Sequence, residues 1–137
     1  MIINAKDMIA GRLASYAAKK ALLGEEIHIV NSELAVITGN KKDVLKKYQT
    51  KDKRGGPHHG PFLQKIPYKF LKKMIRGMLT YKKGKGRDAY KRIKCYNGVP
   101  KEFQNKNLET IEKADVSKVK YLKYQTIGGL CNSLKQK

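Results

Sequence analysis

The order of apolar runs predicts an α/β fold built on an at least partly parallel sheet, and three observations carry that reading. Short runs rich in β-branched residues alternate with stretches whose apolar residues recur at helical spacing. The first three elements read strand, helix, strand, an order that a right-handed crossover joins into parallel neighbours. The chain has 137 residues, 40% of them hydrophobic, enough for one packed interior and too few for two full cores. A single domain over residues 1–137 is therefore expected.

The elements follow in order. "MIINA" is a short apolar strand, with Asp7 after it where a helix cap could sit. From Ile9 the positions Ile9, Leu13, Tyr16, Ala17 and Ala21 share one helix face, and Gly24 supplies the stop, giving a helix of about four turns. "EEIHIVN" and "ELAVIT" are the second and third strands, separated by Asn31 and Ser32. Gly39 and Asn40 close the third run, and "KKDVLKKYQT" returns to helical spacing through Val44, Leu45 and Tyr48. A basic loop over about 51–66 begins with "KDKRGGPHHGP", whose two prolines and three glycines exclude regular structure.

Pro67 opens a helix with a core stripe of Phe70, Leu71, Met74, Ile75 and Met78, while Lys69, Lys72, Lys73 and Arg76 occupy another face at i, i+3, i+4 and i+7. A second, glycine-laced basic loop covers about 80–88. A short helix then runs into a fourth strand, "RIKCYN", ended by Gly98 and Pro100. The remainder, about 101–137, gathers Glu102, Glu109, Glu112 and Asp115 into a segment expected to face solvent or a protein neighbour. It closes with a helix, "TIGGLCNSLK", capped by Thr126. No internal repeat or low-complexity tract occurs.

Charge decides the class of partner. Lys and Arg number 31 against 11 Asp and Glu, a formal net charge of +20, and such self-repulsion calls for a polyanion. Between Asp52 and Asp88 stand Lys53, Arg54, Lys65, Lys69, Lys72, Lys73, Arg76, Lys82, Lys83, Lys85 and Arg87, with no acid among them. Solvated faces normally interleave both signs, so this uncontested field points to phosphate binding. Lysines outnumber arginines 26 to 5 (31 minus Arg12, Arg54, Arg76, Arg87 and Arg92), which favours point-charge phosphate contacts over bidentate base reading. No helix-turn-helix, zinc-finger or basic-zipper pattern is present. Shape recognition of a folded RNA fits best.

Other chemistries fit less well. A membrane-lying helix calls for Trp or Phe opposite its basic face, and the chain has no Trp and three Phe. No window is apolar enough to span a bilayer, and "MIINAKDMIAGRLASYAAKK" lacks the pattern of a secretory leader, so a cytoplasmic setting is expected. Cys95 and Cys131 stand far apart without neighbouring His, which reads as two free thiols. The first turn offers only Gly11, too few glycines for a dinucleotide site, and no Walker sequence occurs. His58 and His59 are adjacent, awkward for joint metal ligation but available to hydrogen-bond or stack against RNA. Gly77, inside a helix at a cost of about 1 kcal/mol, is explained equally by close approach of a ribose or by helix packing. Two alternatives remain: an RNA-processing nuclease using Asp43, Asp52, Asp88 and His58 or His59, and a basic duplex-DNA-binding protein.

The stretch "IRGMLTYKKGKGRDAYKRIKCYNGVP" resembles the signature of large-subunit ribosomal protein thirteen in its archaeal and eukaryotic form: a helix ending in Arg-Gly-Met-Leu, a basic glycine loop, and a Lys-x-Tyr strand leading to Gly-x-Pro. "GRLASYAAKKALLGEEIHIVNSELAVITGN" is also similar to that family. Thr80 stands where the family usually has proline and Tyr81 where histidine is common. The resemblance implies a three-layer α/β/α fold around a short, mainly parallel, four-stranded sheet with basic loop extensions. It implies a structural constituent of the large ribosomal subunit that binds large-subunit rRNA and supports assembly, with ribosomal protein neighbours and without catalysis, cofactor, metal, membrane or small-molecule substrate. Arg12, Arg76, Lys82, Lys83, Gly84, Gly86 and Arg87 are contact candidates by motif match. Lys53, Arg54, His58, His59, Lys69, Lys72, Lys73 and Lys85 join them through the charge reading.

Overall fold

The computed structural model describes residues 1–120 and 123–136. Its first elements are β1 (Ile2–Asn4), α1 (Ala10–Leu22) and β2 (Ile27–Val30). The helix ends just before Gly24, but Asp7 does not cap it. The N-cap is Ile9, which makes no side-chain cap hydrogen bond, and Asp7 turns the chain at φ 57°. Small residues dominate the buried face of α1, with Ala10, Ala14, Ala17, Ala18 and Ala21 around Leu13. That face lets α3 (Pro67–Met78) and α4 (Gly84–Lys91) pack against α1.

Three parallel strands form the main sheet, in the order β1, β2, β4 (Ile93–Cys95). Its core face buries Ile3, Ile27, Ile29 and Ile93 completely. On the other face, Ile2, His28 and Lys94 lie in one cross-strand row. His28 is covered by Phe103 at 4.9 Å between ring centroids and by Tyr96 at 6.1 Å. Burial, and then the charge of Lys94, hold the His28 imidazole below its ordinary pKa.

The expectation of four strands in one sheet needs correction. The third run, β3 (Val36–Thr38), pairs antiparallel with β5 (Tyr124–Thr126) in a separate two-stranded sheet. A 3₁₀ turn at Ser32–Leu34, entered through left-handed Asn31 (φ 56°), swings the chain away from β2. The free edge of β2 is taken by β4 instead, and the edge of β1 holds a single parallel bridge between Ile3 and Glu109. Asn4 N–H donates to the Glu109 carbonyl at 3.0 Å and Glu109 N–H to that of Ile2 at 2.8 Å.

The acidic segment is therefore tied down by its backbone. Ile9 N–H also donates to the Ala114 carbonyl at 2.7 Å, which leaves the carboxylates of Glu102, Glu109 and Glu112 outward and exposed. The terminal helix, α5 (Ile127–Lys135), is capped as expected: Thr126 Oγ1 accepts from Gly129 N–H at 3.1 Å. It packs Ile127, Leu130, Cys131 and Leu134 into the core beside α2 (Lys41–Lys53) and α3. Cys95 and Cys131 are free and buried, and burial pushes their thiols up to about 12 and about 11. They act as small hydrophobes.

Both basic loops are shorter than expected. Helix α2 runs on to Lys53, so residues 51–53 are its last turn. Gly84, Lys85, Gly86 and Arg87 form the first turn of α4 rather than a loop. A helix rich in lysine and glycine has poor intrinsic propensity. Tertiary packing overrides it here: Ala89 and Gly86 are buried, and Lys83 N–H closes a turn onto the Thr80 carbonyl at 2.9 Å.

Candidate nucleic-acid interface

Helix α3 positions the centre of the basic surface. Pro67 sits at its first position, where a missing N–H is harmless. Phe70, Leu71 and Ile75 anchor the buried face, whereas Met74 is half-buried and Met78 exposed, so the core stripe is narrower than its spacing implied. The other face carries Lys69, Lys72, Lys73 and Arg76 into an open groove of about 810 Å³, with Lys51 from α2 completing the cationic wall.

Aromatic side chains hold these cations in place. Lys69 Nζ lies 6.0 Å from the Tyr68 ring centroid and Lys72 Nζ 4.9 Å from that of Tyr90. The Arg76 guanidinium lies 4.7 Å from the ring of Tyr81. Lys73 donates to the Phe62 carbonyl. Burial, then the nearby charges of Arg76 and Lys51, lower its ammonium pKa, as expected of a cation set among cations. The groove is thus a concentrated positive field that carries aromatic faces.

Helix α4 adds a second cationic element. Lys83 is its N-cap and supplies no side-chain acceptor, and the first turn contains no acid. Among the described residues its early N–H groups have no N-cap side-chain acceptor, while Lys82, Lys83, Lys85 and Arg87 crowd the positive end of the helix dipole, all exposed. Cations at that end repel the dipole, an arrangement that an incoming phosphate relieves. The two glycines differ. A Cβ on Gly84 would meet nothing within 4 Å, whereas one on Gly86 would stand 2.3 Å from the Thr80 carbonyl oxygen. Gly86 is buried and serves the chain's own close turn.

The loop after α2 is pinched at its base. Gly60 adopts φ +122°, and a Cβ there would lie 2.2 Å from Gly55 Cα, so two glycine backbones touch. This closure presents His58 and His59, both exposed, with Lys53 and Arg54 exposed beside them. Lys65 is not an open cation, since it pairs with Asp52 at 3.0 Å. Arg12 stands apart from the groove. Its Nη1 donates to the Lys113 carbonyl at 3.1 Å, and it lines a separate hollow of about 670 Å³ between α1 and the acidic segment.

The acids of the nuclease alternative are not assembled. Asp43 is in the first turn of α2, Asp88 is in α4, and Asp52 is engaged by Lys65. Among the described residues no three His, Cys, Asp or Glu side chains are grouped so as to hold a metal ion. No helix among them is long and apolar enough to cross a membrane.

Residues 1–102 match the family model described as ribosomal protein L13. The chain belongs to that family. Its relatives extend the match beyond residue 102. The large ribosomal subunit protein uL13 of Methanosarcina barkeri is 44% identical over 137 residues, covering 99% of this chain and 98% of the relative. The protein of that name from Archaeoglobus fulgidus is 45% identical over 127 residues, covering 92% and 81%. The one from Methanocaldococcus jannaschii is 42% identical over 137 residues, covering 97% and 96%.

Lys51, Phe62, Tyr68, Tyr90 and Tyr81 were not legible as site residues. Tyr68 at i and Lys72 at i+4 share a helix face, a signal available in principle. The approach of Lys51, Phe62 and Tyr90 depends on how α2, its loop and α4 pack on α3.

Gly77 separates the two explanations offered for it. It is exposed, and a Cβ there would meet nothing within 4 Å, so helix packing does not require it. Gly77→Ala should stabilise the isolated protein by about 0.5–1 kcal/mol. Thermal unfolding without RNA checks this, and an unchanged or lower Tm would contradict it.

Proposed function

We propose that this ribosomal protein is a structural, non-catalytic constituent of the large subunit, acting as a single domain that binds large-subunit rRNA through phosphate contacts and supports subunit assembly. The observation that carries the reading is the cationic wall of Lys51, Lys69, Lys72, Lys73 and Arg76 facing one open groove. The uncapped, lysine-crowded start of α4 is its second element. Neutralising such a field by counterion release gives sequence-independent affinity, as a component held by RNA shape requires. His58, His59, Lys53 and Arg54 extend the surface from the pinched loop. The first turn of α4, opened by Gly84, offers backbone N–H groups, while Gly86 shapes the turn that presents them.

The relatives' name, large ribosomal subunit protein, supports this setting and, with it, the reading of a cytoplasmic location. The fold is read as the three-layer α/β/α arrangement that the family resemblance implies. The outward carboxylates of Glu102, Glu109 and Glu112 then face neighbouring ribosomal proteins, away from the phosphates.

Sedimentation tests the proposal. A tagged copy expressed in its native cytosol should be recovered quantitatively in the large-subunit peak of a high-salt sucrose gradient. Recovery only in the light fractions would refute it. Divalent-dependent cleavage of RNA by the pure protein would favour the nuclease alternative instead.

A further inference from the structure

Beside the cationic groove, and sharing Lys51, Lys73 and Arg76 with it, lies a second pocket of about 370 Å³. Its character is different. Leu63 and Met74 line it together with Tyr48 and Phe70, which meet edge to face at 5.1 Å. Its rim includes Tyr81, 39% exposed with the Arg76 guanidinium 4.7 Å from its ring centroid, and Gly77, which places no side chain there. The volume lies within the range of about 300–1,000 Å³ typical of small-ligand sites.

We propose that this pocket receives a single unpaired nucleobase of the bound RNA, stacked on the Tyr81–Arg76 platform, while the phosphates flanking that nucleotide lie in the cationic groove. The inference rests on the RNA-binding reading above and deepens it from phosphate contact to capture of one extruded nucleotide.

The argument is one of chemical matching. A nucleotide is an anionic backbone joined to a flat ring with apolar faces and a polar edge. The two cavities offer those two environments on either side of one wall made by Lys51, Lys73 and Arg76. A base within a continuous duplex is stacked internally and cannot enter, whereas loops and bulges splay bases out for aromatic and guanidinium stacking. Phosphate-only binding would leave the apolar floor and the side-chain-free rim at Gly77 without use. The floor is also too small and too ringed by positive charge for a second basic protein surface.

Two RNA hairpins of identical sequence make the test, one with a single bulged adenosine and the other with an abasic residue at the bulge. Their phosphate backbones match, so only the base differs. At fixed moderate salt the wild-type protein should bind the adenosine bulge about tenfold more tightly, the magnitude of one base stacked on an aromatic ring. A bulged 2-aminopurine should lose fluorescence on binding. Tyr81→Leu should bring the preference close to unity, any loss of the Arg76 contact weakening both hairpins alike, and Tyr81→Phe should keep the preference. Gly77→Ala should reduce it by narrowing the rim.

Equal binding of the two hairpins by wild-type protein would overturn the base pocket and leave the phosphate reading standing. So would a preference that survives in Tyr81→Leu. Failure of both hairpins to bind would overturn the phosphate reading and the pocket together.

Discussion

Gly86→Ala is expected to lower the unfolding free energy by about 3 kcal/mol, the upper part of the range for forcing an atom into packed structure. The new Cβ would stand 2.3 Å from the Thr80 carbonyl oxygen, 2.4 Å from its carbon and 2.9 Å from Tyr81 N, all of them backbone. Flexible side chains could move aside, but a peptide unit cannot without shifting the turn between α3 and α4. Its Tm should fall by roughly 10 °C. Gly84→Ala is the matched control, two residues away in the same first turn, where the added methyl meets open space. It should be neutral or slightly stabilising. Calorimetry of both variants decides the matter, and equal Tm values would contradict the assigned close approach.

The second large effect is on binding. If eight to ten phosphates are neutralised, the log–log dependence of affinity on salt should have a slope of about −5 to −9. Changing Lys82, Lys83, Lys85 and Arg87 together to alanine should reduce its magnitude by about 2 to 4, an affinity loss of several hundredfold or more at low salt. The fold should survive, because all four side chains are exposed. Relief of cations from the positive end of the α4 dipole should offset any lost packing. A large loss of affinity at little or no cost in stability is the signature of residues kept for a ligand. Filter binding to a structured rRNA fragment across a salt series, with thermal unfolding alongside, measures both. A slope that does not change would remove α4 from the interface.

Particular residues show how far the sequence could be read. Lys69, Lys72, Lys73 and Arg76 were legible as one face of a helix because their spacing is a local property, and the groove gathers all four. Arg12 was legible only by motif, and the chain uses its guanidinium to hold the Lys113 carbonyl. Lys65 belonged to the acid-free window, yet Asp52, one residue outside that window, folds back to pair with it. Gly84 and Gly86 looked alike in a basic loop and differ completely in the fold, one open and one wedged against backbone. Tyr81 acquires meaning only when Arg76 lies across its ring.

What the sequence determined by itself was everything set by local periodicity and by total charge: the α/β alternation, the cationic face of α3, the Thr126 cap, the free thiols and the net charge of +20. What only the tertiary structure decided was which strands pair, where α4 begins, and which cations stand open beside aromatic rings. The reason is one of range. Helical spacing and net charge are carried by neighbouring residues or by a sum over all of them. Strand partners, close glycine approaches and shared grooves depend on segments far apart in sequence, such as β3 with β5 or Lys51 with Arg76, which meet only when the core brings them together.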